Sequence, residues 1–187
     1  MANSSERLPE DAAGYSPHPV VLLLLIMPFT NWTPRERANL CFIIKDGKLL
    51  LIRKKRGLGA GKINGPGGKI DPGETALESA IRETQEEIGV TPTGVEKRGE
   101  LRFQFADGYS LHCTVFTATG YTGEIIETAE AIPFWVSTDE IPYDEMWEDD
   151  RHWLPLMLEG KSFSGSFTFD GETMLTKEVE VGDAVVR

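Results

Sequence analysis

The sequence predicts an α/β (α+β) fold in which a mostly antiparallel sheet carries helices, and three observations support that prediction. Apolar, partly β-branched runs come in pairs around Asp46-Gly47, Asp107-Gly108 and Asp170-Gly171, and Asp-Gly between such runs is the strongest short-range hairpin signal. Residues 74–88 instead repeat their apolar positions at helical spacing and stop at Gly89, the usual place for a glycine that ends a helix. A second helical stretch, residues 149–158, stands before the third pair.

Taken in chain order, residues 1–19 hold three prolines and many small or polar side chains, a composition that does not bury enough apolar surface to fold. The apolar run 20–29 is broken by Pro28 and is about half the length a bilayer span needs. Glu6, Glu10 and Asp11 precede it and Asn31-Trp32 follow it, the reverse of a secretory signal. Residues 1–37 therefore read as a disordered or extraneous extension and residues 38–187 as one domain. Met27 is a candidate start of the natural protein; N-terminal sequencing or intact mass checks this, and a peptide from residues 1–26 overturns it.

Strands are predicted over residues 38–45 and 48–54, followed by a glycine-rich loop over residues 57–73. In the helix that follows, Leu77, Ala80, Ile81, Thr84 and Ile88 share one face at about 100° per residue, and that face should pack on the sheet. Further strands flank Asp107-Gly108, a strand is expected over residues 132–137, and Pro155 should end or kink the helix over residues 149–158. The third hairpin completes the chain. With 187 residues there is room for one ordinary core, and a monomer is expected.

Charge narrows the function. Thirty acidic against nineteen basic side chains give a net charge of −11, which opposes binding to a nucleic-acid polymer and favours sites that gather cations. Cys41 and Cys113 both lie in apolar runs, so neither a disulfide scaffold nor a four-ligand zinc site is indicated, and a reducing cytoplasmic location without membrane attachment is expected. None of His18, His112 and His152 has a second His or Cys at ligand spacing.

The informative segment is the helix over residues 74–88. Glu83, Glu86 and Glu87 stand at i, i+3 and i+4, where like charges destabilise an isolated helix by roughly 0.2–0.5 kcal/mol per pair unless cations offset them. A solvated acidic face is the plain alternative. The feeding turns Gly65-Pro66-Gly67-Gly68 and Asp71-Pro72-Gly73 favour a ligand site, because such turns bring backbone groups close to a bound molecule. Hard oxygen donors suit Mg²⁺, or Mn²⁺ in its place, and Mg²⁺ commonly joins carboxylates to substrate phosphates. A P-loop is excluded: it needs Gly at Arg56 and Ser or Thr at Ile63.

Gly68, five residues, Glu74, seven residues, then Arg82-Glu83-Thr84-Gln85-Glu86-Glu87-Ile88-Gly89-Val90 resembles the signature box of the Nudix hydrolases. Thr84 alone departs from it, where that family carries a bulky aliphatic residue; the change should weaken packing slightly and leave the chemistry alone. The resemblance implies a Nudix fold, with mixed and antiparallel sheet sandwiched between helices, and a Mg²⁺-dependent pyrophosphohydrolase. It further implies that Glu83, Glu86, Glu87 and the Gly67 carbonyl hold the metal, that Arg82 orients the carboxylates, and that Glu130 is a further metal-site or base-site acid. From the residues alone, Arg82 is equally a helix ion pair with Glu78 or Glu86, and Glu130 a solvated loop carboxylate.

Residues 54–65 and 146–153 resemble the pocket segments of Nudix members that hydrolyse oxidised purine nucleoside triphosphates such as 8-oxo-dGTP and 2-hydroxy-dATP. That likeness implies a purine triphosphate substrate, with Asn64, Asp149 and Asp150 on the base edge, Trp147 on its face, Lys54 near the phosphates and Asn39 lining the pocket. An amide offers donor and acceptor together, and a desolvated carboxyl that keeps its proton gains a donor. The local alternatives are an Asp149-Asp150 helix cap and core roles for Trp147 and Trp153. Leu58, Ile63 and Asn39 stand where those relatives have an aromatic, Trp and Thr, which leaves open a different nucleotide substrate or a binding module without turnover.

Overall fold

The structure is a computed structural model that describes residue 29 and residues 31–184. The expectations for residues 1–19, for the apolar run before Phe29 and for a start at Met27 lie outside the described residues. Strands β1 (Glu36–Lys45) and β2 (Lys48–Lys54) form the first hairpin, with Asp46 at φ 51° and Gly47 at φ 71°, as a type I′ turn requires of both central residues. The short β3 (Ile63–Asn64) returns the glycine-rich loop to β2, and α1 (Ala76–Ile88) follows.

Then come β4 (Val90–Thr93), β5 (Glu96–Phe105), β6 (Ser110–Ala118), β7 (Gly120–Gly123) and β8 (Ala131–Ser137). A 3₁₀ turn (Tyr143–Glu145), α2 (Asp150–Leu158), β9 (Lys161–Asp170) and β10 (Thr173–Ala184) complete the described chain. Two hairpin turns differ in detail from the Asp-Gly reading. Phe105 N–H donates to Tyr109 O at 2.9 Å around a three-residue loop with Gly108 at φ 89°, and Asp170 pairs with Thr173, so Gly171-Glu172 are the central residues of the third turn.

The main sheet runs β10-β9-β5-β6-β1-β2-β3, with β8 also on β2, while β4 and β7 pair separately. The hairpins themselves are antiparallel, but β1 lies parallel to β6 and β5 parallel to β9, which makes the sheet mixed. Strand residues alternate between its faces. Cys41, Ile43, Leu50 and Ile52 pack with Ala80 and Ile88 of α1, whereas Phe42, Leu49 and Leu51 pack with Trp153, Leu154 and Met157 of α2. The sheet is thus sandwiched between helices. Among the described residues no helix is long and apolar enough to cross a membrane.

Helix α1 starts on a capping box, Thr75 with Glu78, and ends on Gly89 at φ 80°. Its buried side differs from the predicted face: Leu77 is 42% exposed, and Ser79, Ala80, Thr84, Glu87 and Ile88 are buried. Rotation by part of a turn buries a hydroxyl and a carboxylate, and both find polar partners beneath the helix. Thr84 satisfies its hydroxyl locally by donating to Ala80 O at 2.7 Å. Pro155 does not end α2, which continues to Leu158; it has no N–H to donate to the carbonyl of Arg151, four residues back, and Arg151 is exposed.

Candidate active site

The turn over residues 65–68 is sewn to β1: Cys41 N–H donates to Pro66 O at 2.8 Å and Asn39 N–H to Gly68 O at 2.9 Å. Backbone contact requires glycine at 67, and a side-chain end opposes a larger residue at 68. A Cβ on Gly67 would run into the Asn39 carbonyl, and one on Gly68 into the Glu83 carboxylate. Gly67 N–H in turn donates to Glu87 Oε2 at 2.9 Å, so the turn and the helix share a polar contact that no larger residue permits.

The three glutamates of α1 occupy three environments. Glu87 is 3% exposed, Glu83 16% and Glu86 58%. Lys54 Nζ stands 3.7 Å from Glu87 Oε1. Arg82 grips Glu74 with two bonds, Nε to Oε1 at 2.7 Å and Nη2 to Oε2 at 2.8 Å, and donates Nη1 to Glu83 at 2.8 Å and to Glu86 at 3.1 Å. Glu78 is spent on the cap instead. Neither the i−4 partner nor a simple i+4 pair describes Arg82; its main partner is eight residues back, outside any local spacing rule.

Glu130 lies in the loop before β8, ion-paired with Arg56. Burial pushes the Glu87 carboxyl up to about 7 against the opposing pull of Lys54 and the Gly67 N–H, and it raises Glu83 against Arg82. The charge of Glu130 adds to both shifts. Arg82 holds Glu74 down to about 2. Several carboxylates therefore repel one another at the end of α1, a donor set that suits a divalent cation. Among the described residues no three acids, His or Cys converge as ligands; Arg82 stands between Glu83 and Glu86, and Glu87 turns to Gly67.

Beside this cluster opens a cavity of about 250 Å³, and Lys54, Gly67 and Gly68 belong to its wall together with Asn64, Trp147, Asp149 and Asp150. Asp149 and Asp150 are both buried. Asp149 makes no cap: its Oδ2 accepts from Trp153 Nε1 at 2.9 Å, while Asp150 Oδ2 accepts from Trp147 N–H at 3.0 Å. The helix-cap alternative for Asp149 is overturned, because a donor four residues on in the same helix draws the carboxylate inward. Burial raises both carboxyls well above the ordinary aspartate range, and the Asp149 charge raises Asp150 further.

Trp153 is core and also borders the cavity, and half-buried Trp147 forms cavity wall, edge-on to Phe105 and Phe169, with Lys62 Nζ 5.2 Å from its ring centre. Asn64 Oδ1 accepts from Gly65 N–H at 2.8 Å. Asn39 meets the expectation in its place but not in its orientation. It borders the cavity, but its amide turns to α1, donating to Ser79 Oγ at 2.9 Å and to Gly68 O at 3.3 Å, with Oδ1 buried and unpaired. The cause is parity: Ala38 and Leu40 face the α2 side, so Asn39 between them faces α1. Leu58, 50% exposed, sits on the cavity rim, and Ile63 is buried.

Sequence reasoning missed Glu74, Ser79 and Lys62, the partners of Arg82, Asn39 and Trp147. Only Glu74 carried a signal, as a fixed position of the box.

Known proteins place this arrangement. The chain is 42% identical over 140 residues to the oxidized purine nucleoside triphosphate hydrolase of Danio rerio, covering 74% of this chain and 90% of that one. It is 37% identical over 148 residues to the enzyme of the same name from Mus musculus, covering 78% and 95%. The crystal structure of a mutator MutT protein from Bacillus halodurans superposes with a TM-score of 0.71 at 26% identity, covering 78% of this chain and 97% of that one. Residues 34–157 match the NUDIX domain, and with two relatives of that identity spanning most of its length the chain belongs to the Nudix hydrolase family.

Proposed function

We propose that this protein hydrolyses oxidised purine nucleoside triphosphates, of the 8-oxo-dGTP and 2-hydroxy-dATP type, to monophosphate and pyrophosphate, and so clears them from the nucleotide pool. The carrying observation is one cavity whose wall includes both Lys54, Gly67 and Gly68 of the carboxylate cluster and the buried pair Asp149 and Asp150. A molecule with a purine at one end and a polyphosphate at the other matches that division. The names of the Danio rerio and Mus musculus relatives support the same substrate.

In this reading Glu83, Glu86, Glu87, Glu130 and the Gly67 carbonyl hold Mg²⁺, with Mn²⁺ as a substitute. The mutual repulsion of Glu83, Glu87 and Glu130 supports the assignment. When bound, such an ion neutralises charge on the phosphoryl oxygens and makes water a better nucleophile. Arg82 fixes the carboxylates through its fork on Glu74, and Lys54, next to Glu87 and on the cavity wall, is placed to reach phosphate.

Asp149, Asp150 and Asn64 read the base edge and Trp147 covers a face of the ring. A carboxyl held protonated by burial donates where an ionised one only accepts, and that donor is what an oxidised purine edge demands. The reading extends to a cytoplasmic monomer that does not hold nucleic-acid polymers, in keeping with the charge of −11. A different nucleotide with the same chemistry is favoured by one observation: Leu58 leaves the cavity rim open and without a ring.

A pyrophosphate-release screen over oxidised, unmodified and methylated nucleotides with Mg²⁺ separates these. Preference for oxidised purines is the expected result. A large preference for an unmodified nucleotide rejects the pool-clearing role, and tight binding without turnover rejects the reaction altogether.

A further inference from the structure

We propose that Thr128 is a positioning residue that sets Glu130 against the C-terminal end of α1 through a single hydroxyl. The inference rests on the reading above, in which Glu130 works beside Glu87. Thr128 Oγ1 donates to Glu87 O at 2.8 Å and accepts from Glu130 N–H at 3.1 Å and Ala131 N–H at 3.3 Å. A hydroxyl has one proton to give and two lone pairs to share, so its whole capacity is used on three backbone groups.

Each of those groups needs it. The last carbonyls of a helix have no partner within the helix. Here the Ile88 carbonyl accepts from Ile126 N–H at 3.0 Å, and the Glu87 carbonyl accepts from Thr128. On the other side of the loop, Lys55 N–H donates to Glu130 O at 2.8 Å, which moors the loop to the end of β2 but fixes nothing relative to α1. Thr128 is the residue whose side chain joins the backbone of Glu87 to the backbone of Glu130, the two acids that raise the same local charge.

Ordinary turn formation does not account for this. A Thr that only stabilised its own turn would use Oγ1 as acceptor toward the N–H two residues on, and its proton would need no protein partner. The proton instead points across 41 residues of sequence to Glu87. Among the other side chains of similar size, only serine offers one oxygen that gives a proton and receives two. Displacements of about 1 Å at reacting groups cost as much as 10²-fold in rate, so loosening this joint should register in kcat before KM.

The test compares Thr128→Val, which keeps the shape and removes the hydroxyl, with Thr128→Ser, which keeps the hydroxyl. The expected result for valine is a kcat lowered about tenfold or more with KM changed less than about threefold, and for serine a rate within about twofold of the parent. Amide hydrogen exchange without metal supplies a readout independent of turnover: Glu130 and Ala131 should exchange faster in the valine variant, with β5 and β6 unchanged. If the valine variant does not fold, Thr128→Ala takes its place. Parental exchange at both amides, or a parental kcat, overturns the proposal.

Glu130→Gln separates this from the reading beneath it. A parental rate in that variant removes Glu130 from the reaction, and the proposal with it. A slow Glu130→Gln that valine at 128 slows by a further full tenfold leaves Glu130 in the reaction but overturns the route from Thr128 through it.

Discussion

Two acidic groups of this molecule sit on helices, and they are held in opposite ways. At the C-terminal half of α1, Glu83, Glu86 and Glu87 have cations beside them, Arg82 and Lys54, and run from exposed to buried. At the start of α2, Asp149 and Asp150 are wholly buried, and their hydrogen-bond partners are neutral, the Trp153 indole and the Trp147 N–H. A carboxylate with cations close by is prepared for positive charge. One whose hydrogen-bond donors are neutral, in an aromatic wall, is prepared to recognise a shape. The difference lies in the neighbours, since both groups are runs of adjacent acids.

The largest effect that can break this contrast is loss of a buried acid from α1. Glu87→Gln and Glu83→Gln should each lower kcat by about 10³-fold or more, because electrostatic stabilisation is commonly the largest contribution to such reactions. Glu86, 58% exposed, should matter less, with about a tenfold loss on substitution by Gln. Pyrophosphate release under saturating Mg²⁺ measures all three. Glu87→Gln should meanwhile melt no lower than the parent, since the charge it removes is one that burial disfavours. Near-parental rates in both buried-site variants would remove the metal role from α1.

Next in size is loss of an acid from α2. Asp150→Ala should lower kcat/KM for an oxidised purine triphosphate by about 10- to 100-fold, the scale of one buried hydrogen bond left unmade. The loss should be far smaller when a nucleotide lacking the oxidised edge is the substrate. Equal losses on both substrates, measured side by side, would show that Asp150 supports the fold of the cavity and does not read the base.

Much of this contrast was readable from local pattern. The hairpins and the box helix were legible because turn chemistry and helical spacing act within a few residues. The parallel pairings β1 with β6 and β5 with β9 were not, since they join segments that no local rule connects. On α1, ranking side chains by hydrophobicity set Leu77 inside and Glu87 outside the buried face. The polar groups of Gly67 and Lys54 reverse that order, and they come from a loop and a strand far away in sequence. For Asp149 the cap stood as the local alternative because Asp is frequent at such positions, although Trp153 at i+4 is a competing donor in the same sequence. Parity along β1, had it been followed from Leu40 and Phe42, would have turned Asn39 toward α1.

A smaller effect concerns pH. Burial raises the folded-state pKa of Asp149 and Asp150 above the unfolded value, so the fold retains protons that the unfolded chain releases. Their contribution to stability is complete below the ordinary aspartate range and is lost as pH rises through the raised values. Around the pair stand Lys62, which pulls Asp150 down, and Glu148, which pushes Asp149 up. Denaturant midpoints measured across that window should fall with rising pH in the parent and fall less in Asp150→Asn. On α1, Glu83 and Glu87 are shifted in the same direction, whereas Glu78 and the neighbouring Glu74 are lowered and lose their contribution only as pH falls below the ordinary glutamate range; the part due to Glu87 is separated by repeating the series in Glu87→Gln.

The smallest expected effect lies between the two acidic groups, on the buried side of α1 where Thr84 replaces an aliphatic residue. Its hydroxyl is fully buried and bonded to Ala80 O, so Thr84→Val removes a donor whose acceptor already belongs to the helix ladder, together with a weak contact to the buried Cys41 thiol. Such a bond is worth about 0.5–1.5 kcal/mol net, offset by the better burial of a methyl group, about 0.8 kcal/mol by analogy with a CH₂. The expected change in unfolding free energy is within about 1 kcal/mol of zero, with kcat unchanged within about twofold. A kcat that fell tenfold while the melting point held would mean that the rotation of α1, and with it the depth of Glu87, is set by this one hydroxyl, and the contrast drawn above would depend on Thr84 as much as on the cations.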